Sequence, residues 1–291
     1  MYLSTLLIDV GSNPDRPRPG RLWLRNLYRV HQRLCMAFPS PRLTDRDSVD
    51  YDPAFLKPYD PAHFPEDRYQ ADKKPKNKPG GEVEPDVLSH VHAKRDHNAG
   101  FLFRVDPQPG GSAVILVLSA VEPDWDYAFH NARYLLAGPP AKPRPLELSI
   151  EPGTRLRFRL LANPTKRPPL TKEQRLQKQA DGEVKSLKRP RVQLTWQADT
   201  DPAKVFADWL CARAEKAGFR IDPKDLTISN IGYVYVHKGG REDAAQRLRS
   251  ARYEGILEVT DADKFAQTLA AGLGPAKAFG FGLLSLAPVR V

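Results

Sequence analysis

Tyr28 and His31, one helical turn apart, are the first residues of this 291-residue chain whose types and spacing could do chemistry. They belong to a stripe at spacings of three and four, Leu24, Leu27, Tyr28, His31, Leu34, Cys35 and Phe38, which predicts a helix over residues 21–38 ended by Pro39. Arg25, Arg29 and Arg33 fall on another face of that helix. Like charges at i, i+4 disfavour an isolated helix by roughly 0.2–0.5 kcal/mol per pair, and an anionic partner would offset that cost. A lone histidine on an apolar stripe is more often a satisfied core residue than a catalyst. If the stripe ends at a cleft, His31 is the natural general acid or base, with Tyr28 as its neighbour.

Two other groupings compete for attention. His90-Val91-His92, with His97, Asp86 and Asp96 nearby, outlines a metal cluster, but no third ligand stands at a recognised spacing. The second grouping is the segment 272–284, which carries Gly272, Gly274, Gly280 and Gly282 around Lys277 and Phe279. Its glycines follow a helix-like run and precede a strand, the reverse of a dinucleotide fingerprint, and no Gly-Lys-Ser/Thr marks a P-loop. Glycine permits φ > 0 and close backbone approach, so the segment is either a plain connection or a place where N–H groups meet a polyanion.

The balance of charge favours an acidic partner. Lys and Arg number 45 against 35 Asp and Glu, a formal +10. Residues 155–191 hold twelve Lys or Arg and three Asp or Glu, a surplus of nine that accounts for almost the whole net charge. Proline within and after the clusters Lys166-Arg167 and Lys185–Arg191 points to loops or a hairpin. A charged loop beside an Arg-faced strand suits phosphate contacts on an RNA stem. The bland reading is a solvated loop. Cys35 and Cys211 lie in predicted helices and read as small buried apolar residues, not as a disulfide or zinc site. No apolar run reaches the roughly 18 residues of a membrane span, and the first ten residues do not make a signal peptide, so a cytoplasmic protein is expected.

The elements that must position these groups follow from periodicity. Residues 2–10 read as a strand, followed by the helix just described. Residues 39–98, rich in Pro, Asp and Lys, read as a long irregular insertion. Strands are predicted at 99–105 and 112–121, joined by a Pro/Gly turn, then a short helix within 124–136 and a Pro-rich linker at 138–145. In strand 155–162, Leu156, Phe158 and Leu160 share one face and Arg155, Arg157 and Arg159 the other. Asp201 and Pro202 begin a helix that Gly218 ends. Strands at 226–237 and 251–259, a helix at 261–271 and a last strand at 281–287 complete the chain. Each half approximates βαββαβ, so the predicted fold class is α+β with tandem ferredoxin-like (RRM-like) domains at 1–145 and 146–291. The second helix and last strand of the first unit are poorly marked.

Taken in order, several stretches resemble the CasE family, the CRISPR repeat-RNA-processing endoribonucleases of type I-E systems. They are Met1-Tyr2-Leu3-Ser4, Asn26-Leu27-Tyr28-Arg29-Val30-His31-Gln32 and Ala99-Gly100-Phe101-Leu102-Phe103-Arg104-Val105. Further along come Leu156–Lys166, Tyr253–Asp261 and the glycine segment through Leu286. The resemblance covers most of the chain outside the insertion. It implies two ferredoxin-like domains, no cofactor, and metal-independent cleavage of CRISPR repeat RNA 3′ of a stem-loop. The guide RNA would then be retained with the other subunits of the Cascade complex. It implies that His31 is catalytic with Tyr28 assisting, and that Arg157, Arg159, Lys166 and Arg167 hold the stem. Lys185, Lys188, Arg189 and Arg191 occupy the place of a basic hairpin, and Gly274, Lys277, Gly280 and Gly282 join the RNA-binding set. Some relatives carry a lysine where this chain has Met36, which leaves the transition-state cation to Arg33, Lys277 or a basic-loop residue.

The chemistry needs no metal in principle, because RNA brings its own nucleophile, the 2′-OH. A histidine would move a proton at the 2′-OH or the leaving 5′-oxygen, and cations or backbone N–H groups would stabilise the added charge. A non-catalytic RNA-binding subunit, with His31 as core, is the alternative of a different class.

Overall fold

The computed structural model describes residues 1–11, 19–38, 100–129, 132–169, 191–196, 198–236 and 245–289. The insertion at 39–98 and the histidines His90, His92 and His97 lie outside the described residues, as do Lys185, Lys188 and Arg189.

The N-terminal half is built on one antiparallel sheet. Its strands are β1 (Tyr2–Asp9), β2 (Phe101–Gln108), β3 (Ser112–Ser119) and β4 (Arg144–Pro145), in the order β2-β3-β1-β4. Period-2 alternation decides which face is buried: Ser4, Leu6 and Ile8 of β1 point inward while Thr5, Leu7 and Asp9 do not. Helices α1 (Pro19–Leu24), α2 (Leu27–Cys35) and α3 (Trp125–Phe129) cover the inward face. The last strand lies inside the stretch that reads as a Pro-rich linker. It is only two residues long, and it pairs Pro145 with Tyr2 and Arg144 with Leu3.

The C-terminal half repeats the plan. Its antiparallel sheet runs β10-β5-β9-β8, with β5 (Arg155–Ala162), β8 (Phe219–Val236), β9 (Gln246–Val259) and β10 (Leu284–Pro288). Helices α4 (Pro202–Ala214) and α5 (Ala262–Ala271) pack on the face of Phe158 and Leu160. Asp201 and Asp261 cap them, accepting from Ala203 N and Lys264 N. The hairpin of β8 and β9 is longer than the sequence suggests, 18 and 14 residues, with irregularities that bend it at 221–226 and 229–232. Two short strands, β6 (Thr165–Lys166) and β7 (Val192–Gln193), form the base of the basic connection.

The halves are joined through β2. Arg104, 5% exposed, forks onto the Asp106 carboxylate and donates to Ser285 Oγ of β10 at 2.8 Å. Leu283 packs on Leu102 and Leu118 beside that contact. Cys35 is buried at the end of α2, while Cys211 is only half-buried, so the expectation of two buried thiols holds for one. Among the described residues no helix is long and apolar enough to cross a membrane.

Candidate functional site

The helix predicted over 21–38 is in fact two. Asn26 adopts extended backbone and its side chain accepts from Tyr28 N at 3.1 Å, so it caps a new helix and leaves α1 as a separate turn. This break sets the rotation of α2. Val30 and Leu34 enter the N-terminal core, whereas Leu27 and Tyr28 pack against Phe279, Phe281, Val236 and Leu248 of the other half. His31 is half-buried between these directions. Its ring centre lies 5.3 Å from that of Phe101, 6.2 Å from Phe103 with the planes 18° apart, and 6.4 Å from Tyr28. The stripe therefore divides, part to a core and part to the seam between the halves, where the histidine and tyrosine sit.

Two candidate positions for a cation on or near α2 are accounted for differently. Arg33 is not on an outer face; it is 2% exposed and its Nη1 donates to Ala128 O at 3.1 Å, which makes it a core tie. Met36 is buried in the N-terminal core and offers no charge.

The glycine segment closes on the same seam. Gly272, Gly274, Gly280 and Gly282 all have φ between 74 and 91°, and Ala276 joins them at 65°. Three of the four N–H groups are spent inside the protein, on Thr268 O from Gly272, Lys277 O from Gly280 and Leu161 O from Gly282. Of the two readings left open, these bonds favour a connection that packs between the halves. A Cβ on Gly280 would lie 3.3 Å from the Phe103 ring on which His31 stacks, and one on Gly272 would meet Leu102 at 2.7 Å. Between these glycines a single 3-10 turn, Lys277–Phe279, faces two ways. Phe279 sits 6.1 Å from Tyr28, centre to centre, while Lys277 lines a cationic cavity.

That cavity, about 540 Å³, gathers Lys166, Arg167, Arg191, Arg213, Lys216, Gly274 and Lys277. Burial, and then the charge of Arg191, lowers the pKa of Lys277 below the ordinary lysine value, so an anion beside its ammonium would be favoured. Arg213 escaped the sequence reading. Its guanidinium lies 4.1 Å over the Trp209 ring and donates to Thr165 O, which fixes β6 and hence Lys166. The signal available was Arg four residues after Trp on a helix, which says nothing about Thr165.

Arg157 and Arg159 do not join this set. They project from the face of β5 opposite the helices and line a separate cavity of about 740 Å³ with Arg104, Asp225, Glu254 and Ser285. Arg159 Nε is 2.6 Å from Glu254 Oε1, and Arg252 meets the same oxygen at 2.9 Å. Partial burial pushes the Glu254 carboxyl up, but these two hydrogen bonds more than offset it and hold it below the usual range. The single basic surface expected from the sequence is therefore two, on opposite sides of one sheet. Among the described residues no group of three or more His, Cys, Asp or Glu could hold a metal ion.

Comparison with known proteins agrees with this architecture. A family model described as CRISPR associated protein matches residues 86–288. The chain is 33% identical over 195 residues to the CRISPR-associated endoribonuclease Cse3 of Thermus thermophilus, a match spanning 64% of this chain and 79% of that protein. It is 30% identical over 148 residues to the CRISPR system Cascade subunit CasE of Escherichia coli K12, spanning 51% and 65% respectively. A structure of the endoribonuclease Cse3 bound to a 19-nt RNA superposes with TM-score 0.58 and 26% identity, covering 99% of this chain and all of that one. The chain belongs to the CRISPR-associated CasE (Cse3) family, and its mixed α+β fold with antiparallel sheets is that of the solved Cse3 structure.

Proposed function

We infer that this protein is a CRISPR endoribonuclease that cuts repeat RNA beside a stem-loop and keeps the product within a Cascade complex. The observation that carries the reading is the two-faced turn Lys277–Phe279, which brings a cationic cavity and the Tyr28–His31 pair to one structural unit. A stem with its phosphates on Lys166, Arg167, Arg191 and Lys277 would deliver its flank toward the histidine. Phosphate contacts of this kind position the duplex without reading sequence. The strand order, with the outer strands added on either side of a central antiparallel pair, supports tandem ferredoxin-like domains divided near residue 145.

In this reading the substrate's 2′-OH attacks the adjacent phosphorus, and the 5′-oxygen of the next nucleotide leaves. His31 transfers a proton at one of these two oxygens, and Tyr28 hydrogen-bonds the phosphate or orients the imidazole. Lys277 or Arg191 neutralises the charge that develops. The products are a 2′,3′-cyclic phosphate and a 5′-hydroxyl. Arg157 and Arg159, committed to the other side of the sheet, are left out of the stem contacts. The work belongs in the cytoplasm, where the transcript and the other subunits are.

The stacking of His31 on Phe103 is what a non-catalytic RNA-binding subunit would also display. Incubating repeat RNA with the protein in EDTA separates the readings. Cleavage supports the endoribonuclease, and tight binding without cleavage in either EDTA or Mg²⁺ supports the binding subunit.

A further inference from the structure

The distal half of the β8–β9 hairpin has two unlike faces. Beyond the irregularity at 229–232 the strands pair Tyr233 with Arg249 and Tyr235 with Arg247. Val234, Val236 and Leu248 turn inward against Phe279 and Tyr28. On the outer face rings and guanidinium groups alternate. The Arg249 guanidinium carbon lies 4.7 Å over the Trp196 ring and 4.0 Å over Tyr233, and that of Arg247 covers Tyr233 at 4.4 Å. Trp196 is itself seated on Phe206 of the helix-covered core, so the ladder is anchored.

Three features of this face point to a ligand. Tyr235 is 57% and Tyr233 37% exposed, although apolar rings gain by burial. Arg249 is only 8% exposed, yet its buried Nε has no hydrogen-bond partner among the described residues. The face is also continuous with the cationic cavity. Arg249 N donates to Gln193 Oε1 at 2.8 Å, Gln193 belongs to β7, and β7 pairs with the strand that carries Lys166. Tyr233 and Trp196, held by the guanidinium groups of Arg247 and Arg249, have little freedom to give up on binding, and Tyr235 beside them, paired with Arg247 across the strands, leaves its ring open to a ligand. Inside a duplex both faces of a base are occupied, so beyond the end pair of a stem only an unpaired base can use such a ring.

We propose that this outer face is a stacking platform for unpaired nucleotides flanking the stem of the RNA substrate. One base lies on Tyr235, and Arg247 and Arg249 draw the adjoining phosphates. The proposal rests on the endoribonuclease reading for the identity of its ligand.

The test compares full-length wild type with Tyr235→Ala and Tyr235→Phe, after thermal melts show that all three are folded. Affinity is measured at fixed salt for three RNAs: a bare stem-loop, and the same stem-loop with a single-stranded 5′ or 3′ flank. Wild type should prefer at least one flanked RNA. Tyr235→Ala should lose that preference, by on the order of tenfold, with the bare stem-loop unaffected and Tyr235→Phe close to wild type. Equal affinity of wild type and Tyr235→Ala for both flanked RNAs would overturn the platform, and so would an equal loss on the bare stem-loop. If wild type prefers no hairpin RNA to unrelated duplex, the endoribonuclease reading falls and takes the platform with it.

Discussion

A half-buried imidazole stacked on one aromatic ring, with a second ring tilted 30° beside it, is held in a narrow range of orientations, which is what proton transfer in a fixed geometry asks for. The cationic cavity, by contrast, is lined by other elements, so chemistry and holding should separate by mutation. His31→Ala should lose roughly 10²–10⁴-fold in single-turnover cleavage. Its stem-loop affinity should be nearly unchanged, because a neutral imidazole adds little to phosphate neutralisation. Tyr28→Phe should cost less, since the ring's packing on Phe279 survives. A folded, tightly binding His31→Ala protein that cuts at the wild-type rate would remove the histidine from the chemistry. Spacing placed Tyr28 and His31 on one helix face, and the resemblance to the CasE family, not the spacing, gave them a catalytic role. Arg33 was not legible, because periodicity shows which positions share a face but not that a guanidinium can end a buried path at the Ala128 carbonyl.

Strands with strict alternation, such as β1 and β5, were readable because their two faces meet different surroundings. The break at Asn26 was not, since apolar spacing runs through it and only the cap geometry ends one helix and starts the next. Two-residue β4 carries no periodicity to read. Of the two readings the glycine segment left open, the contacts of Gly272 and Gly280 favour close packing on β2, with three of the four N–H groups used inside the protein. Gly280→Val puts branched bulk 3.3 Å from Phe103 at a φ of 77°, so it should lower the melting temperature and slow cleavage together. Wild-type melting with wild-type cleavage would contradict that. The β6–β7 base offers a cleaner electrostatic test. Replacing Lys166 and Arg167 with Ala should weaken stem binding and make the salt dependence shallower, by about one unit of slope for each phosphate no longer neutralised. Affinity measured against salt concentration reads this directly, and an unchanged slope would move the stem elsewhere.

For the whole molecule, two halves of one strand order could be inferred from the alternation of elements, but which charges share a surface could not. Arg157 and Lys166 stand nine positions apart, yet the chain turns at Asn163–Pro164 and leaves the sheet, so they look out on opposite sides. Linear charge density cannot see a change of side. The turn Lys277–Phe279 carries the larger consequence. In the proposed reading one end of it meets RNA phosphate while the other packs on Tyr28, so occupancy of the cavity and order at the tyrosine would be linked equilibria, and such linkage runs in both directions. Phe279→Ala, which removes no charge, should therefore weaken stem-loop affinity measurably, while Lys216→Ala, which removes a cavity cation outside the proposed chemistry, should slow cleavage even when RNA is saturating. Both are read by titration and single-turnover kinetics on the same preparations, and independence of the two would uncouple them. An RNA that fills the cavity poorly would then be cut slowly even after capture, so the enzyme would discriminate twice with a single contact.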